Sequence, residues 1–398
     1  MNPKITVSYC DGCHIEIICP NYRNYNIVIT DGQNEILNVL TNESLTSYDP
    51  HSINFKFVKY NVKVYFENKL IFSDEMNLDG KKVKLNFDSH ALGDCIAWMA
   101  QVDRFQKLHN CELYVSCAFK DLFEKSYPNM KFTDATPNPD RGDNTIIPGL
   151  KNSSCKKFYC FYSPCKCYYA SFDLGFYSRI PSLRTVTLSK VASDMLGMDY
   201  IEETPNIWIE NTERVHQKPY VCIGVQSTAQ YKYWNNKTGW QEVVDYLTSI
   251  GYDVLCIDKN DHFGKDGIVN SAPLGVINKT GDFPLQERIT DLLHCDFFIG
   301  LGSGLSWLAW AIGKPVVMIS GFSAPESEFS NPYRVFNSNV CNSCWNDITV
   351  ANHSQNGWSY CPRNKNYECS TEITSDMVIE KINLCIENNS FLKSEINI

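Results

Sequence analysis

Phe87-Asp88-Ser89-His90-Ala91-Leu92-Gly93-Asp94-Cys95-Ile96-Ala97-Trp98 is the stretch on which the reading of this 398-residue chain turns. Lys84-Leu85-Asn86 before it reads as the end of a strand, and Trp98 to Phe105 after it as an amphipathic helix. A strand, a turn of small residues and then a helix aims backbone N–H groups and the positive end of the helix at an anion. An acid in that turn, Asp94, would lie at the carboxyl edge of a parallel sheet, where open α/β folds bind ligands. A carboxylate there can act as a general base. The same local pattern also describes an ordinary turn with an N-cap.

Beyond this stretch the chain alternates strands and helices. Glu112–Ser116 reads as a strand, Lys120–Glu124 as the start of a helix, Asn144–Ile147 as a short strand and Ser189–Leu196 as a helix. Residues 198–219 read as a linker with Pro205 and Pro219 bracketing a strand at Ile207–Ile209. Then come a strand at Tyr220–Val225, a helix at Gln241–Leu247 ended by Gly251 and a strand at Asp253–Asp258. A helix at Leu285–Leu293, a strand at Phe297–Gly300, a helix at Leu305–Ile312 closed by Gly313 and a strand at Pro315–Ile319 follow. Repeated βα alternation predicts an α/β fold with parallel sheets and helices on both faces. Two such units joined by a linker imply a cleft between them.

Before residue 86 the texture differs. Ile15–Ile18, Tyr25–Ile29, Phe55–Val58, Val62–Phe66 and Val83–Leu85 read as strands, several with the period of half-buried antiparallel strands, and Asp31-Gly32 reads as a turn. This predicts a small β-rich domain, a sandwich or a barrel.

Composition is globular, 43% hydrophobic and 20% charged, and the net charge of −9 argues against general nucleic-acid or anionic-membrane binding. No signal-peptide run opens the chain and no segment reaches membrane-span length, so a cytoplasmic protein is expected. In a reducing compartment most of the 18 cysteines would be small apolar groups. Cys10-x-x-Cys13, with Cys19 nearby, could be half a metal site, and Cys155, Cys160, Cys165 and Cys167 fit no standard site and read as packing. Cys341-x-x-Cys344 followed by Cys361 and Cys369 is metal-site spacing. Four thiolates suit zinc or iron equally, with no open coordination position and hence a structural role.

Two more loops carry candidate chemistry. Val225 to Trp234 follows the first strand of the C-terminal unit, and Ser227, Thr228 and Lys232 supply the neutral donors and point charge that a diphosphate needs. A polar surface loop is the alternative. Gly300-Leu301-Gly302-Ser303-Gly304-Leu305-Ser306-Trp307 lies between a strand and a helix, with three glycines that let backbone approach a ligand. It is neither a Walker loop nor a dinucleotide fingerprint, and it comes too late in the domain for a dehydrogenase. Asp258, at a strand end, is a candidate for a ribose contact.

Together the Ser89–Trp98, Ser227–Trp234 and Phe298–Trp307 segments and the four late cysteines resemble the bacterial autotransporter heptosyltransferases, relatives of the lipopolysaccharide heptosyltransferases. The likeness spans nearly the whole chain. It implies a GT-B glycosyltransferase with an N-terminal β-rich domain (1–85), a Rossmann-like acceptor-side domain (86–204) and a Rossmann-like nucleotide-sugar domain (205–398). It implies an inverting transfer of heptose from ADP-heptose to serine hydroxyls of an autotransporter passenger. Asp94 matches the proposed base and Lys232 a phosphate contact assisted by Thr228. His90, Ala91, Leu92, Gly93, Ser227, Gly302, Ser303, Gly304 and Ser306 complete the substrate-binding set. The cysteine quartet, Cys341, Cys344, Cys361 and Cys369, matches a structural iron site, and a large homo-oligomeric ring, of dodecamer size, is implied. One departure stands out: the lipopolysaccharide relatives carry an acid in the late turn, where this chain has Gly302 and Ser303. No Asp-x-Asp occurs in the C-terminal unit, so a metal need not hold the diphosphate.

Rival classes are a non-catalytic sugar-nucleotide scaffold that binds ADP without transfer, a redox metalloprotein with a labile cysteine site, and a glycosyltransferase with another donor or a lipid-sugar acceptor.

Overall fold

The computed structural model describes residues 3–10, 12–19, 24–41, 45–48, 57–134, 167–175, 184–214, 216–265, 268–350 and 361–391. The chain forms two compact units. The first comprises residues 1–90, 101–180 and 190–201, and the second residues 91–100, 181–189 and 202–398.

The first unit holds β1 (Lys4–Cys10), β2 (Cys13–Ile18), β3 (Tyr25–Thr30), β4 (Glu35–Thr41), β5 (Leu45–Tyr48), β6 (Asn61–Phe66), β7 (Lys69–Glu75), β8 (Lys82–Phe87), β9 (Glu112–Ser116), β10 (Lys131–Thr133) and β11 (Ala170–Leu174). A seven-stranded sheet runs β10-β9-β8-β11-β1-β2-β5, and a four-stranded antiparallel sheet runs β4-β3-β6-β7. From β10 to β1 the pairs are parallel. The N-terminal strands thus divide between two sheets rather than closing a sandwich or barrel of their own. Tyr9 and Cys10 at the end of β1 pair with Ala170 and Ser171 of β11, which ties them into the α/β sheet. Cys10-x-x-Cys13 spans the connection of the β1–β2 hairpin, with both thiols buried.

The long helix α1 (Leu92–His109) follows β8. Cys95, Trp98, Met99, Val102 and Phe105 recur at helical spacing and are buried. It starts six residues before the amphipathic pattern becomes legible, so Asp94 stands in its first turn rather than in the turn before it. Later in the chain, α2 (Leu188–Met195) matches expectation. Phe57 and Val58 form no strand; Phe57 donates its backbone N–H to Met195 and packs its ring on Phe105 and Phe172. Phe55, Lys56 and the strand expected at Asn144–Ile147 lie outside the described residues. Lys120–Leu122 makes only a 3-10 turn.

The second unit carries β12 (Tyr220–Ile223), β13 (Asp253–Cys256), β14 (His262–Lys265), β15 (Ile268–Ser271), β16 (Ile277–Asn278), β17 (Phe298–Leu301), β18 (Val316–Ile319) and β19 (Arg334–Val335). Its helices are α3 (Gly239–Ser249), α4 (Leu285–Leu293), α5 (Gly304–Ala311), α6 (Glu368–Thr371) and α7 (Ser375–Asn389). The main sheet is parallel throughout, in the order β16-β13-β12-β17-β18-β19. Counted from β12 this is 3-2-1-4-5-6, the doubly wound order whose ligand crevice opens where the order reverses, between the carboxyl ends of β12 and β17.

Strands β12, β17 and β18 are wholly buried, as parallel strands covered on both faces must be. Val221, Ile223, Val254, Ile299 and Val317 share one core with Val243 and Leu247 of α3 and Val378 and Ile382 of α7. Burying each such side chain contributes about 1.5–3 kcal/mol. Helix α7 was not foreseen, although Thr374 caps it by accepting the N–H of Met377. Ile207–Ile209 is not a strand: Gln286 holds that segment by donating to Trp208 O and accepting from Glu210 N. Among the described residues no helix is long and apolar enough to cross a membrane.

Candidate functional site

Three loops of the second unit converge at the carboxyl edge of its sheet. The first follows β12. Asp258, just past β13, is buried and accepts the N–H groups of Val225 at 2.7 Å and Gln226 at 3.2 Å. Burial pushes its carboxyl up to about 6 against the pull of those two amides. Asp258 therefore shapes the loop from within. Ser227 is half-buried and Thr228 exposed on the same loop.

A single 3-10 turn, Gln230–Lys232, ends that loop and sets Lys232. Burial pushes its ammonium down, and the carboxylates of Asp94 and Glu328 push it back up. The turn is held from the side of the cysteines. The Tyr231 and Phe322 rings lie 4.0 Å apart at their centroids, and Ser370 accepts the N–H of Asn235 at 2.7 Å.

The second loop is the glycine turn between β17 and α5. Ser306 is buried and its hydroxyl donates to Leu301 O at 2.6 Å, so it closes the turn internally. Ser303 stands at the N-cap of α5 in extended conformation, and the helix presents its first N–H groups beyond it.

The third element is the start of α1. It interlocks with the glycine turn in both directions. A Cβ on Gly93 would stand 2.8 Å from Trp307 Cδ1, and one on Gly304 would stand 2.9 Å from Leu92 Cβ. The missing side chains let the two turns meet at van der Waals distance. Asp94, itself 7% exposed, is held there in the first helical turn, a position the helix dipole favours for an anion. His90 and Ala91, just ahead, are exposed.

The structure thus gathers Leu92, Gly93, Asp94, Lys232, Gly302 and Gly304 and turns Asp258 and Ser306 inward. It adds two residues that the sequence reading missed. Trp307 ends the glycine motif, and nothing in the local pattern gives it a role. Glu328 belongs to no local pattern; only its place in the loop after β18, another carboxyl-edge loop, could have flagged it. Such a constellation sets a carboxylate, an ammonium and helix N–H groups side by side, groups that an anionic substrate could use.

The four late cysteines form a separate knuckle. Cys341, Cys344 and Cys361 all bear electrostatically on Cys369, and burial pushes Cys344 up to about 11 and Cys369 up to about 12. Arg363 Nη1 donates to Cys341 Sγ at 3.5 Å and the Lys365 N–H to Cys361 Sγ at 3.2 Å. N–H groups directed at sulfur are what thiolate ligands require, so the donor set fits a thiolate-bound metal. Yet among the described residues no group of three or more His, Cys, Asp or Glu stands in a metal-holding arrangement. Arg184 caps the knuckle by donating to Cys344 O at 2.9 Å and Asp347 O at 2.6 Å. Among the described cysteines elsewhere, Cys19 is half-buried and Cys167 exposed; Cys155, Cys160 and Cys165 lie outside the described residues.

Residues 189–358 match the sequence profile of glycosyltransferase family 9 (heptosyltransferase). The chain is 40% identical over 336 residues to the autotransporter heptosyltransferase BAHTCr of Citrobacter rodentium, covering 81% of this chain and 76% of that one. It is 32% identical over 337 residues to BimC of Burkholderia thailandensis, an inactive autotransporter heptosyltransferase, covering 81% and 73%. Among solved structures, it resembles the dodecameric iron-containing heptosyltransferase TibC of enterotoxigenic Escherichia coli in complex with ADP-D-beta-D-heptose, at 32% identity, a TM-score of 0.82 and coverage of 97% and 96%.

Proposed function

The chain belongs to the autotransporter heptosyltransferases and is a glycosyltransferase of GT-B type, and from that premise we propose that it transfers heptose from ADP-heptose to serine hydroxyls of an autotransporter passenger, with Asp94 as the general base. The observation that carries this reading is the convergence of Asp94 and Lys232 beside the glycine turn, the Asp94 carboxylate lying close enough to act on the Lys232 ammonium. A serine hydroxyl is a weak nucleophile at neutral pH. Asp94 would take its proton as the serine oxygen bonds to the anomeric carbon. The bond from that carbon to the β-phosphate oxygen breaks on the opposite face, so the anomeric configuration inverts. ADP departs with an added negative charge, which Lys232 and the N–H groups opening α5 would stabilise. Ser227, Thr228, Ser303 and the exposed Ala91 would line the approach.

Iron is the metal proposed for Cys341, Cys344, Cys361 and Cys369, on the strength of the iron-containing relative and of the N–H groups directed at Cys341 and Cys361. Four thiolates leave no open position, so the metal would brace the knuckle and take no part in transfer. A homo-oligomeric ring is proposed on the same likeness. Cytoplasmic residence is proposed as well, in keeping with buried thiols such as Cys222, Cys256 and Cys385 that serve as small apolar groups of the core.

Intact-mass spectrometry of a passenger fragment incubated with the protein and ADP-heptose tests the reading. A ladder of added heptose masses is expected. No added mass, with ADP still bound, would favour the scaffold instead, and a ladder with a different nucleotide sugar would move the donor.

A further inference from the structure

Beneath the glycine turn lies a polar cluster that the transfer chemistry does not use. Gly302 has no side chain, and the space a Cβ would occupy is bordered by Glu328 Oε1 at 2.8 Å and Ser320 Oγ at 3.6 Å. Glu328 Oε1 accepts from Ser323 Oγ at 2.7 Å, and Ser320 and Ser323 share a hydrogen bond of 3.0 Å. Glu328 Oε2 accepts from Arg334 Nη1 at 2.6 Å, and Arg334 Nη2 donates to Ser323 O at 3.0 Å. Glu328, Ser320 and Ser323 are each less than a tenth exposed.

A buried Arg–Glu pair alone would account for Glu328 as internal structure. Two observations point further. Its carboxylate reaches toward the glycine turn between β17 and α5, and it acts on the same Lys232 ammonium as Asp94. Each of its oxygens also makes a single hydrogen bond, where a carboxylate oxygen has room for about two. Serine hydroxyls that can donate or accept, beside a fixed carboxylate, are the partners that sugar hydroxyls need.

We propose that Glu328, exposed to the donor through the missing side chain of Gly302 and flanked by Ser320 and Ser323, accepts hydrogen bonds from hydroxyls of the transferred sugar and determines which sugar is taken. This rests on reading Lys232 as the diphosphate contact, since that puts the sugar over Gly302. Arg334 is the positioning residue: its guanidinium fixes the carboxylate and offsets the cost of burying it. Gly302 is the permissive residue, because any side chain there would meet Glu328 Oε1.

The test is calorimetric binding of ADP and of ADP-heptose to the full-length wild type, Glu328→Gln and Gly302→Ala, with melting temperature alongside. ADP-heptose should bind wild type more tightly than ADP does. Glu328→Gln should lose about tenfold or more of that increment, the size of a hydrogen bond to a charged group, while its ADP affinity stays within about twofold. Gly302→Ala, which leaves Glu328 intact and displaces its oxygen, should lose the increment too. An unchanged increment in both variants would overturn the proposal, as would equal loss of ADP affinity with a fallen melting temperature, which would mark Glu328 as a structural partner of Arg334. Failure of wild type to glycosylate the passenger despite a normal increment would count against the transfer reading and leave Glu328 standing.

Discussion

Gly93 lies against the indole of Trp307, so close that a methyl group on Gly93 would come within 2.8 Å of Trp307 Cδ1. Trp307 is 2% exposed and is itself packed edge-on against Phe329 at 5.0 Å, so it has little room to yield. Gly93→Ala should therefore cost about 1–3 kcal/mol, the usual penalty of forcing atoms into a filled core. It should also slow transfer more than it weakens ADP binding, since it pushes Asp94 away from the glycine turn. A thermal melt and a turnover assay check this; full activity with unchanged melting would mean that the two turns have slack.

The loop that carries Lys232 depends on packing from the cysteine side. Phe322 meets Tyr231 at 4.0 Å and also approaches Trp345, and all three belong to one small cluster with Cys344. Phe322→Ala should cost about 3–5 kcal/mol by leaving a cavity there. Donor KM should rise, because the 3-10 turn of Lys232 rests on that ring. Chemical denaturation and donor titration are the measurements, and an unaltered KM in a destabilised variant would uncouple the knuckle from the donor loop.

Arg184 donates to the main-chain carbonyls of Cys344, Trp345, Asp347 and Val350. Lysine cannot reproduce that fork. If the cysteine knuckle holds iron as proposed, Arg184→Lys should lower the iron content per chain and the melting temperature together, read by elemental analysis and calorimetry. Full iron content would show that the cysteines close without it.

Asp258 should leave a signature in the pH dependence of stability. Its carboxyl is pushed up from 3.8 to about 6 by burial. Between those values the folded state holds a proton that the unfolded chain has released. The resulting stabilisation is complete below about pH 4 and is lost as pH rises through about 6, amounting to at most about 3 kcal/mol. Asp258→Asn should flatten the stability profile of the wild type across that window. A difference profile that stays level from pH 4 to 7 would contradict the shifted carboxyl.

The parallel sheet of the second unit was legible because its strands are short apolar runs bounded by glycines and prolines, as at Phe297–Gly300 and Pro315–Ile319. The start of α1 was not. Gly93 has the look of a turn residue, and its reason for being there, the ring of Trp307, lies 214 residues further on (307 − 93). The same limit hid Glu328, whose importance rests on what Gly302 lacks. A strand-end acid such as Asp258 can face a ligand or its own loop, and its hydrogen bonds to the amides of Val225 and Gln226 join residues that no local sequence pattern links. Ile207–Ile209 has strand-forming residues, yet there it is Gln286 that takes the carbonyl of Trp208 and the N–H of Glu210.

The central claim is that Asp94 removes the proton of the acceptor serine. The most direct measurement is intact mass of the passenger fragment after incubation with ADP-heptose and the Asp94→Asn protein, with ADP affinity and melting temperature measured on the same preparation. Asparagine keeps the size of the side chain and cannot take the proton. The account predicts no added heptose mass, with ADP binding and folding nearly intact. A normal ladder of heptose additions from Asp94→Asn would remove Asp94 from the base role.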